Sequence, residues 1–375
     1  MAVLHGKNYG KPTLDLNFAG NKSLIDTTTG RNYVTFTRAQ SGNEATYVGS
    51  DGLIKYASAD EPRFDHDPET LESLGLLVEE SRTNELTYSV ITNANWVVVD
   101  GATITDNQAT APDGTNTAAL INFPAVGVPR ISITTSIASG TRMVSCWIKA
   151  KTGTVTVRVG NGSDFGSNQV VGTEWTRITE QVPSSSNGAG IYCSNPVSGA
   201  EFYAWGFQQE VGTFPTSYIP TSGSTETRAA DVASMTASPY LYGTFFAKYK
   251  HHPGNNNFRQ IFTVGSSNAY TAFVCRTTPA GSANIVLPNI TELASTANSE
   301  TSGINIAATT RVIGDYAVCL NGGTVATSSS TSDNSNNSVI TFMYGTIGAV
   351  SGGHISRFTY WPKRLPDIEL QQLTK

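Results

Sequence analysis

Five histidines, a scatter of carboxylates and five tryptophans are the side chains of this 375-residue chain with chemistry to offer, and their spacing limits what that chemistry can be. His5, His66 and His354 stand apart, and His251 and His252 are adjacent. Neighbouring strand residues face opposite sides, so the adjacent pair cannot close on one ion and no metal set is assigned. Asp65, Asp67 and Glu69 alternate like the start of a calcium loop, but the glycine and closing glutamate of an EF-hand loop are missing. The role that fits them is ion pairing: Arg63 and Arg82 with Asp65 and Asp67, through the planar guanidinium fork that matches a carboxylate. Glu79 and Glu80 are adjacent, which rules them out as an acid–base pair on one face. GxSxG, HExxH, Walker A and complete GxGxxG patterns are missing from the sequence, so no catalytic residue and no cofactor is assigned. Carboxylates paired from distant strands would leave no local signature, and a glycoside hydrolase therefore stands as the enzymatic alternative.

The aromatic residues suggest a second chemistry, stacking on sugar rings. Four of the five tryptophans (Trp96, Trp147, Trp175, Trp205 and Trp361) sit among apolar strand-like residues and read as core. Tyr192, Tyr240, Tyr242 and Phe258, read as loop residues, are the better stacking candidates.

The elements that must position these residues are β-strands. Charged residues make up 14% of the chain against a usual quarter or so, while Gly, Ser, Thr and Asn abound. Asp-Gly, Asn-Gly and Gly-Asn-Gly turns recur between β-prone runs, as in WVVVDGATITD and YAVCLNGGTVAT. Helical periodicity is confined to the C-terminus, where Pro366 and Asp367 open a short helix with Leu365, Ile368 and Leu373 on one face. Cys146, Cys193, Cys275 and Cys319 lie far apart in strand-like runs, without a CxxC pair, and read as buried free thiols with disulfides as the alternative. The net charge of −5 and the absence of a Lys/Arg cluster argue against a nucleic-acid partner. No apolar run reaches the length of a membrane span, and the start MAVLHGKNYGK lacks the apolar core of a signal peptide.

Three regions and a linker divide the chain. Residues 1–84 are an extended or small β region with a hairpin, 85–220 and 235–375 are rich in strands, and 221–234 is a polar linker. Charge concentrates in residues 61–84, EPRFDHDPETLESLGLLVEESRTN. That wording resembles a segment of virion structural proteins of tailed bacteriophages, and the upstream runs LDLNF, VTFTRAQ and DGLIKYASADEPRF resemble the N-terminal part of the same proteins. PTSYIPT and TRAAD, within residues 215–231, resemble the closing and opening of successive modules there. The middle region is similar to a carbohydrate-binding-module jelly roll through TAPDGTNTA, EWTRIT and FYAWGFQQEVGTFPTSYIPT. The last region is similar to a concanavalin A-like or laminin-G-like sandwich through YAVCLNGG and GHISRFTYWPKRLPDIELQQL.

The resulting expectation is an all-β protein: two antiparallel β-sandwich, jelly-roll domains after a small N-terminal region, closed by a short helix. The resemblance implies a non-enzymatic virion protein on the tail or capsid surface, made without a signal peptide. Its N-terminal region would hold other virion proteins, its copies would form a homo-oligomer, a trimer by analogy, and its outward ligand would be host cell-surface polysaccharide. A receptor-binding lectin at a fibre tip is the nearest alternative.

Overall fold

A computed structural model describes residues 10–375 apart from 40–41, 43–44, 135–139, 163, 185–187, 196, 253–258, 266–272, 279, 288–289, 295–300, 302, 333–337 and 344–351. The chain is all-β with a short C-terminal helix, as its composition predicts. It forms two compact units, both discontinuous in sequence: Met1–Ala39, Ala59–Glu80 and Ala230–Lys375 make the first, Gln40–Ser58 and Ser81–Ala229 the second.

In the first unit, among the described residues, an eight-stranded and a seven-stranded antiparallel sheet enclose one core. The strands Gly243–His251 and Gly353–Trp361 pair along most of their length at the centre of the larger sheet. Inward residues of the two sheets build an aromatic cluster: Phe342 and Phe358 lie 4.9 Å apart between ring centroids, and Phe262 and Phe358 5.1 Å. The far edge of Gly353–Trp361 is completed by segments from early in the chain, Leu14–Leu16 beside residues 358–360 and Ser73–Val78 beside residues 353–355. Val34–Thr37, with its alternating buried and exposed residues, extends the other sheet by pairing with Val232–Thr236. Gly75 explains one letter of the SLGLLV strand: its φ is +98°, and a Cβ there would run into the backbone of Ile355 and Ser356 next door.

In the second unit, among the described residues, two five-stranded sheets face each other. One runs in the order Thr176–Ser184, Gly140–Ala150, Ala200–Val211, Ala118–Phe123, Thr103–Ala109, and the other Gln169–Val171, Val155–Asn161, Ala189–Cys193, Arg130–Ile133, Val97–Val99. Val144, Cys146, Ile148, Phe202 and Ala204 from the first meet Ile131, Val157, Val159 and Ile191 from the second in a common core. The hairpin of Ala45–Val48 and Ile54–Ala57 belongs to this unit. Its Thr46 hydroxyl donates to the Tyr218 carbonyl at 2.6 Å, and Ile54 packs with Trp205 and Tyr218.

The division therefore differs from three consecutive regions. Residues 1–84 are shared out between the two units, because strands of three to six residues cannot bury a core alone and are stable only as parts of larger sheets. Residues 221–234, read as a linker, include Glu226–Arg228, paired with Arg82–Asn84, and the start of Val232–Thr236. Those partners lie far back in the sequence, where local wording cannot reveal them. Residues 1–9, the start of the N-terminal region expected to hold other virion proteins, lie outside the described residues. The C-terminal helix Asp367–Leu373 forms as predicted, but its buried face is Leu370 and Leu373 packed with Leu365, while Ile368 is 59% exposed. All four cysteines are buried and free, and burial pushes the thiols of Cys146 and Cys275 well up.

Candidate functional site

The charged segment 61–84 supplies part of a buried ion network in the first unit. Arg63 pairs with Glu79 at 2.9 Å and with Asp231, and Asp231 also holds Arg38 at 3.0 Å. Register explains the meeting of Arg38 and Asp231: Thr37 pairs with Val232, so the next residue of each strand falls opposite the other. Arg63 stands opposite Leu77, which sets Glu79 two residues along the same face. The Glu79 N–H donates to Asp231 Oδ2 at 2.8 Å and the Asp231 N–H to the Glu79 carbonyl at 2.9 Å. Burial alone would lower the pKa of Arg63, but the fields of Asp231 and Glu79 outweigh it and raise it. Two cations and two anions, all fully buried, thus balance one another, which is the condition under which buried charge is tolerated.

Asp65 and Asp67 also have partners within the first unit. Asp65 takes the His354 Nε2 at 2.7 Å. Asp67 closes its own turn, accepting from the N–H groups of Glu69 and Thr70 at 3.0 Å each, and the Thr70 bond leads in holding its carboxyl below the usual range. Arg82 belongs to the second unit, with its guanidinium 4.8 Å from the Phe214 ring centroid. Two residues on, buried Asn84 donates to the Ile219 carbonyl at 2.9 Å and accepts from the N–H groups of Leu86 and Gln209 at 3.2 Å each. The wording RTN and PTSYIP thus meets in space. His252 lies 3.3 Å from Glu79, while His251 turns to the Gln260 carbonyl at 3.3 Å, so the adjacent histidines do point apart. Among the described residues no group of three or more His, Cys, Asp or Glu is placed to hold a metal.

The predicted stacking residues are dispersed. Tyr192 is a strand residue, buried with its ring 4.5 Å from Phe165. Tyr240 is buried too, edge-on to Tyr33 and Tyr360. Tyr240 lies in the loop between Val232–Thr236 and Gly243–His251, as the sequence predicts, whereas the glycines before Tyr192 mimic a turn inside a strand. Tyr242 is 43% exposed, with the Arg311 guanidinium 5.0 Å from its ring centroid. Phe258 lies outside the described residues. Among the tryptophans, Trp96, Trp205 and Trp361 are buried, as core residues should be, and Trp147 and Trp175 are partly exposed.

Trp175 belongs to an arrangement that no local wording announced. On the outer face of the five-stranded sheet around Gly140–Ala150, Lys149 stands opposite Tyr203, and Tyr203 opposite Leu120. Trp175 adjoins Thr176, the partner of Ile148, and therefore falls beside Lys149. The Lys149 ammonium lies 5.6 Å from the Trp175 ring centroid and 5.9 Å from that of Tyr203, within reach of both ring faces. The indole N–H of Trp175 donates to the Thr110 carbonyl at 3.1 Å, which fixes the ring. One row along, Lys151 pairs with Glu201 at 3.1 Å, and Glu201 stands opposite Asn122. In the other direction the row of Trp147 and Trp205 is covered by Tyr218 and Ile54. Two partly exposed rows remain: two aromatic rings around an ammonium, beside an ammonium, a carboxylate and an amide. The sequence signal was alternation, Trp147-Lys149-Lys151 on one strand and Glu201-Tyr203-Trp205 on the next, but only the register joins them.

No protein-family model matches the chain, and no curated protein does. Among solved structures it is similar to the CBM40 domain of the Ruminococcus gnavus IT-sialidase, with 24% identity over 36% of this chain and 84% of that one and a TM-score of 0.31. It is also similar to Domain 4 of AbnA, a GH43 extracellular arabinanase of Geobacillus stearothermophilus in complex with arabinotriose, with 11% identity over 97% of this chain and 98% of that one and a TM-score of 0.30. A third is the tandem CBM22 domain of Xyn10C from Paenibacillus barcinonensis, with 10% identity over 74% of this chain and 97% of that one and a TM-score of 0.26.

Proposed function

We propose that this chain is a non-enzymatic, glycan-binding protein displayed on the surface of a tailed-phage particle, and that its second unit binds sugar on the outer face of the sheet around Gly140–Ala150. The observation that carries the reading is the row Trp175–Lys149–Tyr203 with its polar neighbour row. A pyranose has an apolar C–H face and a rim of hydroxyls. Partly exposed aromatic rings suit the first, and an ammonium, a carboxylate and an amide one row away suit the second. Placement on a phage particle is supported by the wording of residues 61–84 and 215–231, which resembles virion proteins.

The test is binding of the whole chain to a panel of immobilised neutral and charged polysaccharides, including those of bacterial surfaces, by wild type, Trp175→Ala and Tyr203→Ala. Each variant should weaken binding about tenfold, because an aromatic contact contributes roughly 0.5–1.5 kcal/mol beyond its buried area and 1.4 kcal/mol is a factor of ten. Equal binding by all three proteins, or no polysaccharide bound by wild type, would overturn the reading.

A further inference from the structure

The opposite sheet of the same sandwich has an outer face of another character. Arg130 and Arg158 both stand directly opposite Tyr192, one on each neighbouring strand. The three side chains therefore share one row, on the side away from the core residues Ile131, Val157 and Ile191. Two strand spacings, roughly 10 Å, separate the backbones of the two arginines. Arg158 is held in place: its Nε donates to the Cys193 carbonyl at 2.7 Å, and its guanidinium lies 5.5 Å from the Phe165 ring centroid. Phe165 in turn covers Tyr192, at 4.5 Å between ring centroids. Burial pushes the Tyr192 phenol up to about 12 against the pull of the two arginines. Among the described residues, neither Arg130 nor Arg158 has a carboxylate within ion-pair distance.

The chain is acidic overall, yet here two guanidinium groups face outward in one row with no counter-charge among the described residues, one of them already fixed by its neighbours. Guanidinium groups bind planar or multidentate oxyanions through paired N–H donors. We propose that Arg130 and Arg158, set on either side of Tyr192, form a receptor for the oxyanion of an acidic polysaccharide, a uronate carboxylate or a sulfate ester. That the polymer is a glycan rests on the function proposed above. Capture of the anion does not, and the site lies on the other sheet from Trp175.

The experiment is calorimetric titration of the whole chain with polygalacturonate, dextran sulfate and uncharged dextran, using wild type, Arg130→Gln, Arg158→Gln and Trp175→Ala. The first two polymers distinguish a carboxylate ligand from a sulfate ligand. Each glutamine variant should keep the wild-type melting temperature, lose about tenfold in affinity for the acidic polymer that binds, and leave any binding of uncharged polymer unchanged. Charge-conserving Arg158→Lys should also weaken binding, since an ammonium lacks the paired donors. The proposal is overturned if wild type binds neither acidic polymer, or if both glutamine variants bind it as wild type does. Loss of acidic-polymer binding in the arginine variants, with Trp175→Ala binding every ligand normally, would uphold the anion receptor and remove the aromatic row.

Discussion

The densest wording of the sequence and the aromatic row proposed to bind sugar lie in different places. In the first unit, Arg63, Glu79 and Asp231, with Arg38, are consumed by one another, fully buried and linked by side chains and backbone. In the second, Lys149 and Tyr203 come from two neighbouring strands of plain appearance and Trp175 from the residue just before a third, and they meet only across the sheet. A buried polar group with several partners admits almost no substitute, since every donor and acceptor left over costs desolvation energy. Such groups produce rigid wording. An exposed row makes no such demand on its neighbours in sequence, so a binding face can be assembled from residues that look ordinary. In this chain the segment that reads most like a motif is scaffold.

The largest expected effect tests the scaffold half of that contrast. Asp231→Ala removes a carboxylate shared by Arg38 and Arg63 and leaves the network with an excess of buried positive charge. Breaking a buried pair in this way costs about 3–5 kcal/mol. Equilibrium urea unfolding should show that loss in the transition of the first unit. A loss below about 1 kcal/mol would mean that the network is solvated in practice, and the contrast with the exposed row would collapse.

How much was legible follows the same line. Strand content, the short C-terminal helix and the burial of Trp96, Trp205 and Trp361 follow from local composition and turn chemistry, because those depend on neighbours a few residues away. Arg63 was identified as an ion-pairing residue, but its partner Asp231 lies 168 positions further on, and no local rule reaches that far. The loop assignment of Tyr192 failed because Gly188 and Gly190 look like turn residues. Gly190 is in fact a strand residue, where a Cβ would collide with the Ile131 carbonyl of the next strand. The row of Trp175, Lys149 and Tyr203 needed the register of three strands, which hydrophobic alternation alone leaves open.

A smaller effect separates two ways of keeping a buried carboxylate. Asp26, outside the motif-like segment, is satisfied without an arginine: the Thr28 and Thr29 hydroxyls donate to Oδ2 at 2.7 and 2.6 Å, and the Asp15 N–H donates to Oδ1 at 2.7 Å. Burial works to raise its pKa, but these hydrogen bonds together outweigh it, and the folded value lies below the ordinary 3.8. A depressed value means that Asp26 contributes its full stabilisation above about pH 4 and loses it as the pH falls through the folded value. Asp26→Asn should therefore cost about 1 kcal/mol at neutral pH, with the difference from wild type shrinking below pH 4. A constant difference from pH 7 down to pH 2 in acid-titrated urea melts would show that the charge of Asp26 is not what its hydroxyl partners hold.

The smallest expected effect on stability belongs to the exposed row, and it makes the comparison sharpest. Lys149 has two aromatic neighbours, its ammonium sits more than 5 Å from either ring centroid, and its side chain is partly exposed. A cation over a ring at such a site contributes about 0.5–1 kcal/mol at most, and surface substitutions away from caps and cavities usually stay within about 0.5 kcal/mol. Lys149→Gln should shift the urea midpoint of the second unit by no more than that. If Lys149 serves a ligand rather than the fold, the same variant should still weaken polysaccharide binding measurably, and the weakening should be larger than any change in stability. A destabilisation of 2 kcal/mol or more, roughly what loss of a buried polar contact brings, would place Lys149 with Arg63 and Asp231 as a structural residue. The row would then lose its claim to be a surface held open for a partner.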